Sequence, residues 1–132
     1  MAALTTDRNT PQRAGAIVND PVAAAAVIYA GALYALDASG NAVRATAGGN
    51  AARAVATERA DNSAGAAGAI GVRGERGTFR FGNGTAAAAL GRADIGATAF
   101  VIDDQTVGKT GTAAAGKVVD IEDGDVWVAV GA

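Results

Sequence analysis

Short runs of apolar residues separated by glycine, asparagine and aspartate recur along the chain, and few runs exceed ten residues. The segment AGAIVND, closing on Asp20 and Pro21, predicts a short strand. The apolar run from Val27 to Leu36, the turn residues Asp37 to Asn41 and the return through Val43 and Arg44 predict a hairpin, with Tyr29 and Leu33 on one face and Tyr34 and Leu36 on the other. In AARAVATER, Arg53, Val55, Thr57 and Arg59 alternate with Ala52, Ala54, Ala56 and Glu58, so this strand should pack only lightly on its small-residue side. Further along, Ile70 and Val72 share one parity while Phe79 and Phe81 share the other. A parity switch needs a bulge or bend, and Gly74 and Gly77 lie where one would fit. Two more hairpins are predicted, one turning at Asp103 and Asp104 and one at Asp123 and Gly124. The second has Val119 and Ile121 on its outgoing strand and Val126, Val128 and Val130 opposite Trp127 on the return.

Helix has little room in this pattern. Glycine recurs every few residues from Gly65 to Gly96, and no apolar stripe of helical period is sustained. Thr85 to Leu90, with Thr85 as cap, is the single stretch that predicts a helical turn. The fold class is therefore all-β, a small β-barrel or β-sandwich built from hairpins. Residues 1–12, polar and without period, predict an extended N-terminal arm, and residues 13–132 one β domain.

Composition changes the picture in two ways. Half of the 132 residues are hydrophobic, but 36 of these are alanine, and among the large aliphatics 13 Val and 6 Ile outnumber 4 Leu. The β-branched excess supports strands, and the shortage of large side chains favours a domain that gains by burying further surface in an oligomer or on a scaffold. Net charge is −2, with no basic footprint for nucleic acid. No run approaches the roughly 18 apolar residues of a membrane span, and the polar N-terminus does not read as a signal peptide. The expectation is a soluble protein made in the cytoplasm, with neither nucleic acid nor membrane as partner.

Candidate chemistry is sparse. The sequence contains no His and no Cys, which removes the commonest general base, the commonest metal ligands and any disulfide. GTAAAGKV resembles a phosphate-binding loop at Gly111, Gly116 and Lys117, but Val118 stands where the magnesium-binding hydroxyl belongs. Asp103 with Asp104, and Asp120, Glu122, Asp123 and Asp125, offer oxygen ligands without the spacing of a calcium loop, and read as hairpin turns. Arg73, Arg76 and Arg80 interleave with Phe79 and Phe81 as in a single-strand binder, but a strand with its apolar residues inward and its arginines outward is the favoured reading, because the net charge is negative and Glu75 interrupts the patch. Asn83-Gly84-Thr85 forms a glycosylation sequon that reads as a turn. Neither an enzyme nor a cofactor is expected.

Taken in order, TTDRNTPQRAG, YAGALYALDASGNAV, ERADNSAGAAGAIGVRGERGTFRF, RADIGATAFVIDDQTVGKT and DGDVWVAV resemble the small head decoration, or capsid cement, proteins of tailed phages and prophages, including Mu-like ones. The resemblance spans most of the chain and includes the stretch from Phe100 to Thr110. It implies a compact β-barrel or β-sandwich, often a homotrimer, on the exterior of the virion, where it binds the outer face of the major capsid protein lattice without a cofactor. The arm would then supply Asp7, Arg8 and Arg13 for ion pairs with a neighbour. The alternative function is a stand-alone binding module of carbohydrate or adhesin type.

Overall fold

A computed structural model describes residues 2–12 and 15–131. The protein is all-β, and its only helical elements among these residues are two short 3-10 turns. Residues 2–12 form neither helix nor strand and are exposed throughout.

The first half builds a five-stranded sheet from β1 (Ile17–Pro21), β3 (Leu33–Leu36), β4 (Ala42–Arg44), β5 (Ala52–Ala56) and β7 (Gly71–Glu75), in the order β1-β7-β5-β3-β4. A two-residue ribbon, β2 (Val27–Ile28) with β6 (Ala60–Asp61), lies beside it. The second half is a closed barrel of β8 (Gly77–Asn83), β9 (Thr98–Val101), β10 (Thr106–Gly108), β11 (Ala114–Glu122) and β12 (Asp125–Val130). All its neighbours pair antiparallel except β8 and β10, which run parallel. Closure removes the unpaired edges that an open sheet would expose.

Two cores follow from this arrangement. One face of the sheet, with Leu33, Ala45 and Val55, joins the barrel's Phe81, Ala99, Val101, Val107, Val118, Val126, Val128 and Val130. The other face, with Tyr34, Ala54 and Ala56, joins Val18, Val22, Ile28, Ala60 and Val72. The alanines are working core residues here. A five-stranded barrel has a narrow interior, and valine and alanine are the sizes that fill it.

The hairpin turns fall at Asp37–Asn41, Asp103–Asp104 and Asp123–Gly124, where side chains and glycine favour them. Other expectations are corrected. The run from Val27 to Leu36 is two strands, because the chain turns at Gly31 with φ +85. Tyr29 therefore leaves the sheet and is 47% exposed, while Leu33 and Tyr34 point to opposite faces and are both fully buried. The small-residue side of β5 is not lightly packed, since Ala54 and Ala56 make room for the Tyr34 ring. The parity switch is a change of sheet: β7 ends at Glu75, Gly77 takes φ +154, and β8 enters the barrel.

Further on, Ala86–Ala88 form the expected short turn, but Thr85 makes no side-chain cap hydrogen bond. A second 3-10 turn, Arg92–Asp94, was not anticipated, and it is held by Asp94 Oδ2 accepting the Gly91 N–H at 2.8 Å. On β11 a bulge between Val118 and Asp120 makes Val119 the extra residue and turns it outward, 46% exposed.

Candidate functional site

Beneath the sheet's second face lies a buried ionic cluster. Asp20, 7% exposed on edge strand β1, accepts the Tyr34 hydroxyl at 2.8 Å. The Arg53 guanidinium grips the same carboxylate with two hydrogen bonds of 3.2 Å. Arg53 can reach it because of a second bulge. While β3 steps one residue, from Tyr34 to Ala35, β5 steps two, from Ala54 to Ala52, so Arg53 is the extra residue and leaves the alternation that would have carried it to the face of Val55. Gly74 completes the cluster, as any Cβ there would run into the Tyr34 ring. Burial, followed by the hydrogen bond to Asp20, pushes the Tyr34 hydroxyl well above its ordinary pKa, and the same Asp20 contact holds Arg53 firmly protonated.

Beside this cluster opens a groove of about 550 Å³, lined by Leu36, Asp37, Asn50, Ala52, Arg53 and Arg76, among others. Arg76 is the residue at which the chain crosses from sheet to barrel, and its backbone N–H is fixed to Ala16 C=O at 2.7 Å. Its stem packs on Gly131, where a Cβ would collide with it. Among the described residues, Arg76 Nε is the one buried side-chain nitrogen or oxygen without a hydrogen-bond partner. Also lining the groove, Asp37 has its carboxylate held by the N–H groups of Ser39 and Asn41, each at 2.9 Å. Guanidinium groups stay protonated, so the site is equipped to hold an anion and not to move a proton.

No protein family, curated protein or solved structure matches this chain. The remaining expected site residues are therefore judged on geometry alone. Asp7 and Arg8 are exposed on the arm, where Arg8 Nη1 donates to Thr10 Oγ1 at 2.9 Å. Arg13 lies outside the described residues. The structure does not bring the acidic residues of the hairpin turns together as a metal site. Asp103 accepts the N–H of Gln105 as a turn residue, and the carbonyl of Asp104 latches the barrel to the sheet by accepting Leu33 N–H at 2.8 Å. Glu122 and Asp125 are engaged by Arg80, at 2.9 and 3.0 Å, and Glu122 also accepts the Trp127 indole N–H. Among the described residues no three His, Cys, Asp or Glu side chains are grouped to hold a metal ion.

The basic-aromatic interleaving also disperses. Arg73 is on the sheet, Arg80 is on the barrel exterior, and Phe81 points into the barrel. Gly116 and Lys117 of the phosphate-loop lookalike lie within strand β11, with no helix after them. Asn83 of the sequon spends its amide on Leu90, donating to its C=O and accepting its N–H at 2.8 Å each.

Sequence reading missed Asp20 and Tyr34 as site residues. Asp20 reads as the end of a strand before proline, and Tyr34 as one of several apolar strand positions. The signal that was present is the lone arginine inside an alanine-rich strand, a costly residue to bury without a carboxylate.

Proposed function

We propose that this chain is a structural module that docks on an assembled protein surface, and specifically a decoration or cement protein of a tailed-phage capsid. In this role it sits on the outer face of the major capsid protein lattice as a homotrimer and strengthens the head, with no catalytic step. The observation that carries this reading is the arm. Residues 2–12 are exposed and form neither helix nor strand, and they precede β1, the outermost strand of the first sheet. Among the described residues no backbone hydrogen bond ties the arm to the sheet. A segment of this kind contributes little to its own domain, yet its open N–H and C=O groups suit it to strand addition on a neighbour, with Asp7 and Arg8 available for ion pairs. The sequence resemblance supports the same role.

The alternative, a carbohydrate or adhesin module, would use an exposed aromatic face. Tyr29 is the exposed aromatic, but the guanidinium groups of Arg44 and Arg59 lie over its ring at 4.9 and 5.2 Å from the centroid, where a sugar would stack.

Deleting residues 2–12 tests the proposal. The shortened chain should keep its melting temperature and bind undecorated capsids at least about tenfold more weakly. Unchanged capsid affinity would remove the arm from the mechanism, and failure of the full chain to bind any capsid of its own phage would end the cement reading.

A further inference from the structure

We infer that the corner formed by Arg53 and Arg76 is a binding site for a carboxylate, supplied by an acidic side chain of a partner protein. The inference rests on local chemistry and does not depend on which assembly the chain joins.

Three observations carry it. The first is an unpaired cation: two guanidinium groups line the groove, and while Arg53 is bonded to the carboxylate of Asp20, the Arg76 side chain makes no hydrogen bond or ion pair among the described residues. The other carboxylate that lines the groove, Asp37, accepts the backbone N–H groups of Ser39 and Asn41 and forms no ion pair with Arg76. The second is the orphan donor. Arg76 Nε is shielded from solvent and has no acceptor among the described residues, whereas buried polar groups in native proteins are nearly always paired. The third is shape. The groove is open at the surface, with Leu36, Ala38, Ala51 and Ala52 along it for an aliphatic stem and Asn50 for a polar contact.

The same features select the ligand. Arg53 already shows how a guanidinium here grips a planar carboxylate with two bonds, and Arg76 presents the same fork. One guanidinium without an ion-pair partner matches one carboxylate. A phosphate dianion, or a nucleic-acid backbone, would meet the carboxylates of Asp20 and Asp37 with its surplus charge. An open groove suits a side chain presented on another protein better than a free metabolite, which would be enclosed.

The arginine Nε–H signals of the ¹⁵N-labelled full chain report the site directly, because a shielded Nε–H exchanges slowly enough to be seen. Titration with the capped tripeptide acetyl-Ala-Glu-Ala-amide should shift the Arg76 signal saturably, and acetyl-Ala-Gln-Ala-amide should not. The Arg76→Lys variant keeps the charge but loses the fork, and the glutamate peptide, followed there through the Arg53 signal, should bind about tenfold more weakly. Equal shifts with both peptides, or none, would overturn the proposal. Phosphate binding as tightly as the glutamate peptide would overturn the carboxylate assignment. A chain lengthened by two residues past Ala132 should respond to the peptide as the parent does. If the lengthening alone moves the Arg76 signal and opens the site to peptide, the natural occupant is the chain's own terminal carboxylate and the partner is wrong.

Discussion

Asp20, Tyr34 and Arg53 come from three strands, and each is acceptable inside the protein only because the other two are present. Removing the guanidinium leaves a carboxylate that is 7% exposed with a single neutral donor. Arg53→Met should therefore destabilise the fold by about 3 kcal/mol, the low end for breaking a buried ion pair, because the Arg53 side chain keeps some contact with solvent. Urea unfolding of the variant checks this, and a loss below about 1 kcal/mol would show that the pair contributes little. Tyr34 adds a dependence on alkaline pH. Its hydroxyl is held neutral in the folded state above its ordinary pKa of 10.0, so the unfolded chain loses that proton first. Stability from this group is complete below pH 10 and falls as pH rises beyond it, by about 1.4 kcal/mol per pH unit. In Tyr34→Phe that slope should vanish, at the cost of about 1 to 3 kcal/mol at neutral pH for the lost hydrogen bond to a charged acceptor, with Asp20 Oδ2 still accepting Arg53 Nε. Unfolding curves between pH 9 and 11 separate the two proteins.

At the scale of elements, bulges and glycines do what regular alternation cannot. Gly116 on β11 has φ +152, and a Cβ there would strike the carbonyl of Ala129 on β12. Gly116→Ala should cost about 3 kcal/mol, from strained backbone and a forced shift of the neighbouring strand. Gly124→Ala, at φ +83 in the hairpin turn with open space around it, should cost about 1 kcal/mol. Similar losses for both in chemical denaturation would mean that β12 yields easily. These positions also show where sequence reading works. The hairpins were legible because Asp37, Asp103 and Asp123-Gly124 are turn residues between apolar runs, and the clash of parity between Val72 and Phe79 marked a break between them, read as a bulge or bend, without showing that the chain changes sheet there. What was not legible is the phase slip inside a strand. Val119 and Arg53 are each an extra bulge residue, and nothing in the local pattern marks which residue will be skipped. The site went unread for the same reason: Asp20 and Arg53 lie 33 residues apart, and only the slip at Arg53 aims one at the other.

The whole molecule is a barrel and a sheet that share one apolar core, latched by Leu33 to Asp104 and by Thr112 Oγ1 to the carbonyl of Ala47 at 3.2 Å. Should it act as a cement protein, light scattering of the full chain at micromolar concentration should give three times the monomer mass, and a monomer there would remove the homotrimer from the proposal. The strand order β1-β7-β5-β3-β4 has a further consequence, for how the chain is made. On the ribosome the hairpin of β3 and β4 emerges with β5 close behind, and these three can pair at once. β1 emerges before all of them, but its sole partner in the sheet is β7, whose residues Gly71–Glu75 are synthesised only after the rest of the sheet. Until then Ile17–Pro21 waits as an unpaired ribbon, and β7, once made, offers the same row of hydrogen-bonding groups to the β1 of any nearby nascent chain. Synthesis on crowded polysomes thus sets two copies competing for one slot, and β1 is the element through which neighbouring copies can exchange strands.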